Sequence, residues 1–206
     1  MTADRVTAAI ADLRRRARLL LDPSRRGPVP LDQLFKSECV THVAIPQLSL
    51  ATVARHLIAE RYVNDPDAVA DMMADDAPLE GLMYWQSGDG LAFIKAEDIL
   101  PRRRFTAAHE LGHAVLHKET MRRYLSDPKI SETDGEGTEM EAEANRFAAE
   151  LLMPEEVIRA RADEMRGDFK ACPRLVLAYR LASELLVSRQ AINYRLSNLK
   201  GVCDDG

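Results

Sequence analysis

Apolar residues recur at helical spacing along most of this chain. Over residues 3–21, Val6, Ile10, Leu13, Ala17, Leu20 and Leu21 share one face opposite Arg14, Arg15, Arg16 and Arg18, which predicts an amphipathic helix. The stretch DPSRRGPVP (22–30) is a Pro/Gly turn region expected to detach that helix from the rest of the chain. Residues 31–36 and 48–62 read as helices, the second with a stripe of Leu50, Val53, Ala54, Leu57 and Ile58. The acidic run 65–78 predicts a short helix with loops. The period then changes. LEGLMYWQ and LAFIKA flank Ser87-Gly88-Asp89-Gly90, the mark of a hairpin with glycine at positive-φ positions. Two longer helices come next, one over 106–117 with Thr106 as N-cap and one over 138–153 ended by Pro154. The polar run 124–139 between them reads as a mobile loop near a cleft. After Pro154, EEVIRARADEM predicts a short helix with glutamates in its first turn. Residues 170–200 close the chain with a pair of helices.

The pattern implies an α+β fold, mostly helical, with a small antiparallel sheet. Its expected divisions are an N-terminal helix and linker (1–30), a central domain (31–165) and the C-terminal pair (170–200). A length of 206 residues, 46% hydrophobic and 30% charged, suits one substantial soluble domain with small appendages. The net charge of −5 gives no general reason to expect nucleic-acid binding. Cys39, Cys172 and Cys203 are few, odd in number and far apart, which fits a reducing cytoplasm better than a disulfide framework. Cys39 and His42 form a C-x-x-H pair with no second pair to complete a metal site, so they read as structural. No apolar run approaches the ~20 residues that span a bilayer, and the N-terminus lacks the long apolar core of a signal peptide. The expected location is the cytoplasm.

The chemistry concentrates in RFTAAHELGHAVLH (104–117), which holds His109-Glu110-Leu111-Gly112-His113. Residues four apart stack on one helix face, so both imidazoles can reach a single ion. Glu110 sits about 100° around the helix from His109, beside that ion, where it can take a proton from water. Taken alone, the pattern is also that of an amphipathic helix that happens to carry two histidines. A third donor decides between them, and TEMEAEANRFAAELLMP (138–154) offers one. The apolar stripe of that helix centres on Ala144, Ala148 and Leu151. Glu141 and Asn145 flank it, while Glu143 points more than a right angle away. An unpaired carboxylate facing the core is costly, and a metal would resolve the cost. Glu141 is therefore preferred to Glu143, which reads with Glu139 and Glu150 as a surface residue.

RFTAAHELGHAVLH and EAEANRFAAELLMP (141–154), in this order and with a short linker between, resemble the ImmA/IrrE-type zinc metallo-endopeptidases, a gluzincin-like branch of the zincins. The resemblance covers about residues 79–200. It implies one zinc ion per chain held by His109, His113 and Glu141, with Glu110 as catalytic base. Asn145 would take the place where related proteases often carry Asp, accepting from an imidazole N–H without adding charge. The family implies a dedicated protein substrate, a helix-turn-helix repressor, cleaved to switch on a stress, phage or mobile-element programme. A metzincin third histidine would fall at Glu119, which excludes that relation. His117 lies about 12 Å from His109 along the helix, too far to share an ion, and reads as packing or hydrogen bonding near the site.

The tail pattern LAxxLxVSxxAIxxRL resembles a helix-turn-helix, with a first helix to Leu185, a turn at Leu186-Val187, and Ser188 capping the second. Six basic residues against Glu184 between Lys170 and Lys200 make DNA binding a rival expectation. In that reading the protein is a regulatory DNA- or protein-binding module with a structural zinc. Leu186 in place of the usual turn glycine speaks against it. So does Glu110, which a structural site does not need.

Overall fold

The computed structural model describes residues 2–86, 88–118 and 136–203. In chain order these form α1 (Thr2–Arg16), α2 (Leu31–Ser37), β1 (Val40–Ile45), α3 (Leu50–Ala59), a 3-10 turn (Pro66–Val69), α4 (Ala70–Met73), β2 (Gly81–Gln86), β3 (Asp89–Lys95) and α5 (Leu100–Leu116). The chain continues with α6 (Glu136–Leu152), α7 (Glu155–Phe169), α8 (Arg174–Leu185) and α9 (Arg189–Ser197). The fold is α+β and mostly helical, as expected. No helix among the described residues is long and apolar enough to cross a membrane.

The expected hairpin is β2–β3, paired antiparallel from Gly81↔Ile94 to Gln86↔Asp89, with Gly88 at φ +104 in its turn. A third strand extends it. β1 lies parallel to β3, from Val40↔Gly90 to Ile45↔Lys95, so the sheet is mixed, in the order β1-β3-β2. Its two faces alternate by residue. Met83, Trp85, Ala92 and Ile94 join the main core, while Leu91 and Phe93 pack on Val53 and Leu57 of α3. The sheet is thus a middle layer with α5 on one side, α6 packed behind α5, and α3 on the other.

The N-terminal helix is not a detached appendage. It stops at Arg16, because Arg18 turns left-handed (φ +53) and the Leu19 N–H bonds back to the Arg14 carbonyl, a helix-ending arrangement that satisfies an orphan carbonyl. Leu20, expected on its apolar stripe, lies beyond it and is 88% exposed. Val6, Ile10, Leu13 and Ala17 share one core with Leu111 of α5, Phe147 and Leu151 of α6, and Leu181 and Ile192 of the C-terminal pair. The linker is tied down as well. Arg161 of α7, fully buried, donates to the carbonyls of Pro23 and Arg25 at 3.0 and 2.9 Å and to Glu184 of α8 at 2.8 Å.

Two helix limits differ from expectation near the site. α5 begins at Leu100, with Pro101 in its first turn, where a missing N–H costs nothing. Thr106 therefore sits mid-helix and caps nothing. α6 is already helical at Glu136. The rest of the loop expected over 124–139 lies outside the described residues.

Candidate metal centre

α5 and α6 pack closely because Gly112 lets them. A Cβ there would stand 3.1 Å from the Phe147 ring and 3.3 Å from the Ala144 backbone. This close approach brings the two signature segments face to face. His109 Nε2 and His113 Nε2 lie 3.0 Å apart. Glu141 straddles them, Oε2 lying 3.2 Å from His109 Nε2 and Oε1 lying 3.2 Å from His113 Nε2. Zinc–nitrogen bonds of about 2.0–2.1 Å at tetrahedral angles set ligand atoms roughly 3.3 Å apart, so the donor set fits such an ion. Among the described residues, His109, His113 and Glu141 form a cluster able to hold a metal.

The far ring nitrogens are also engaged. His109 Nδ1 meets Asn145 Oδ1 at 3.1 Å, the contact that the family resemblance implied. His113 Nδ1 meets His117 Nδ1 at 3.2 Å. Each ring is thereby oriented with Nε2 toward Glu141. Burial, with His109 and His117 alongside, pushes the His113 imidazolium down to about 3, leaving the ring neutral and its lone pair available.

Glu110 is 6% exposed and lies against the start of β2. A Cβ on Gly81 would overlap Glu110 Oε1 and come within 2.8 Å of Thr106 Cγ2. Glycine at 81 is what makes room for this carboxyl. Burial first, then the neighbouring Glu141 carboxylate, pushes Glu110 up to about 8. A cation between Glu141 and the histidines would pull it down again.

The two acids of α6 exchange the environments expected of them. Glu141 is 59% exposed and lines an open cleft, not the core. Glu143 is buried, bonded to His117 at 2.9 Å and to Arg5 at 3.1 Å. Reading α6 with a single apolar face hid this. α6 packs on α5 along one side and on α1 along another, and Glu143 faces that second contact, where a histidine and an arginine satisfy it.

The cleft measures about 1670 Å³, beyond the roughly 300–1,000 Å³ of small-molecule pockets. One wall is the start of β2, with Gly81 and Leu82. Another wall is α9, with Gln190 and Tyr194, and Asn198 just past its end. The role of α9 in the cleft had no signal in the sequence. The turn before it is as expected: Leu186 is left-handed (φ +54), and the Ser188 side chain accepts from the Ala191 N–H. The arginines of this tail serve internal contacts. Arg174 reaches the Asn193 carbonyl, Arg180 reaches Glu164, Arg195 reaches the Met153 carbonyl, and Arg189 lies over Tyr179.

A 56-residue stretch is 39% identical to an uncharacterized immunity region protein 2 of Bacillus phage phi105. It makes up 27% of this chain and spans only 33% of that protein's length. A solved Mycobacterium tuberculosis transcriptional regulator aligns with 97% of this chain and 53% of its own at 18% identity, with a TM-score of 0.38, a likeness too weak to argue from. The model of a peptidase family, described as the IrrE N-terminal-like domain, matches residues 74–197, which take in both signature helices, β2 and the C-terminal pair. The chain belongs to the ImmA/IrrE peptidase family.

Proposed function

We propose that this protein is a zinc-dependent endopeptidase in which His109, His113 and Glu141 hold one metal ion and Glu110 is the general base. One observation carries the reading. Three donor side chains meet through contacts of 3.0–3.2 Å beside a buried carboxyl, in a cleft of about 1670 Å³. Bound zinc supplies Lewis acidity there, lowering the pKa of water toward neutrality and polarising a carbonyl. The chain's own residues account for the remaining steps.

Glu110 takes the proton of a water as its oxygen bonds to the peptide carbon. It returns that proton to the amide nitrogen as the C–N bond breaks. Burial raises this carboxyl and a bound cation would lower it again, which suits a group that first takes and then returns a proton. β2 pairs with β3 on one side only among the described residues, and its start borders the cleft. An extended substrate adding as a further strand along that edge would be held by main-chain hydrogen bonds whatever its side chains. Tyr194 on α9 lines the cleft, which supports it as a donor to a developing oxyanion.

The substrate we infer is a single cytoplasmic protein, a helix-turn-helix repressor whose loss starts a stress, phage or mobile-element response. Family membership and the relative named for a phage immunity region support that class. The alternative, a DNA-binding regulator with a structural zinc, is disfavoured by the internal partners of the tail arginines and by the cleft-facing side of α9.

The test compares new protein N-termini in host cells expressing wild type or Glu110→Gln, which keeps the ligands and removes the base. A dominant cleavage found only with wild type is expected, and it names the substrate. Identical profiles, in cells carrying the neighbouring genes and under stress, would sink the peptidase reading.

A further inference from the structure

Behind the proposed metal ligands lies a second set of polar groups that the hydrolysis does not use. His117 and Glu143 are 3% and 7% exposed. His113 Nδ1 faces His117 Nδ1 at 3.2 Å, and His117 Nε2 faces Glu143 Oε2 at 2.9 Å. Arg5 of α1 reaches the same carboxylate at 3.1 Å and gives its other amino group to the Leu116 carbonyl at 2.8 Å. Arg5 thereby also satisfies one of the orphan carbonyls at the end of α5. Four side chains from three helices form one series that ends on His113.

The direction of its hydrogen bonds follows from the chemistry of the groups. The Glu143 carboxylate, held by Arg5, offers acceptor oxygens, so His117 Nε2–H donates to it. With that one proton on its ring, His117 accepts at Nδ1 from His113 Nδ1–H. This leaves the lone pair of His113 on Nε2, the nitrogen that faces His109 and Glu141. His109 reaches the same state in one step, donating from Nδ1 to Asn145 Oδ1.

We propose that Arg5, Glu143 and His117 are positioning residues that set the tautomer and ring direction of His113, and so the affinity of the centre for a divalent cation. The carboxylate acts one imidazole further from the ligand than in the usual carboxylate–histidine–metal arrangement, its charge carried through polarised hydrogen bonds. This inference rests on the reading of His109, His113 and Glu141 as the metal site.

The experiment measures zinc affinity of the full chain by competition with a chelator, and the His113 tautomer by long-range proton–nitrogen NMR of the folded, metal-stripped chain. Wild type is set beside Glu143→Gln, His117→Leu, His117→Gln and His109→Ala. Glu143→Gln places an amide donor opposite His117 Nε2 and permits the series to reverse. His117→Leu removes the acceptor, whereas His117→Gln retains one. We expect Glu143→Gln and His117→Leu to bind zinc about 10–100-fold more weakly, with His113 losing its pure Nδ1–H form, and His117→Gln to restore most of the affinity. Unchanged affinity in Glu143→Gln and His117→Leu overturns the proposal while leaving the metal site standing. Weaker binding with the Nδ1–H tautomer intact also overturns it, because packing alone would then be at work. Wild type binding no better than His109→Ala would instead remove the metal site, and this proposal with it.

Discussion

Gly81 and Glu110 sit 29 positions apart, as their numbers show, yet each constrains the other. The carboxyl occupies the space a side chain at 81 would fill. Gly81→Ala is expected to displace Glu110 while leaving His109, His113 and Glu141 in place. Turnover should fall about 10²-fold, the scale of a misplacement near 1 Å, with zinc stoichiometry unchanged, as metal analysis and cleavage rates would show. Glu110 also makes the metal-free protein sensitive to pH. Its folded carboxyl titrates near 8 against an ordinary value of 4.5, so between those values the folded chain keeps a proton that the unfolded chain has lost. Stability from this group is therefore full below about 4.5 and declines as pH rises through about 8. Metal-stripped Glu110→Gln lacks this dependence. Its melting temperature should exceed that of wild type at pH near 8, the gap closing toward 4.5. A constant gap across that window would contradict the assignment.

At the level of elements, the α5–α6 contact decides whether the donors meet at all. Gly112→Val would push the Ala144 backbone and Phe147 away, at about 1–3 kcal/mol of overpacking. Because Glu141 rides on α6 and both histidines on α5, the same change should weaken zinc binding, and denaturation and chelator competition together would register it. Elements carried by local spacing were legible in the sequence. His109, Glu110 and His113 follow from one helix and the hairpin from its turn, whereas the part played by Asn145 was implied by the family resemblance. β1 was not, since VTHVAI pairs with a strand some 50 residues later and no local pattern announces a parallel partner. The environments of Glu141 and Glu143 were read the wrong way round for a related reason. A stripe drawn on one helix assumes one buried face, and α6 has two.

Over the whole molecule, the three expected divisions share one core, and Arg161 fastens the linker to the C-terminal half. Its guanidinium is fully buried among Glu184, Glu164 and two linker carbonyls. Arg161→Ala leaves Glu184 buried without its main partner, so the loss should be about 3–5 kcal/mol. It would be read as a lower urea midpoint at unchanged slope. A loss near zero would mean that the linker and α8 hold without this tie.

The donors of the centre are unequal in exposure. His109 and His113 are 15% and 6% exposed and stand on one helix, whereas Glu141 at 59% closes the site from the solvent side. For the metal reading, this separates retention from exchange. The histidine pair forms a fixed seat whose selectivity is set within the fold, while ions and chelators arrive and depart past a single exposed carboxylate. Loading kinetics would then follow the freedom of one side chain, and a substrate lying across the cleft would cover that exit, trapping the ion for as long as the peptide stays bound.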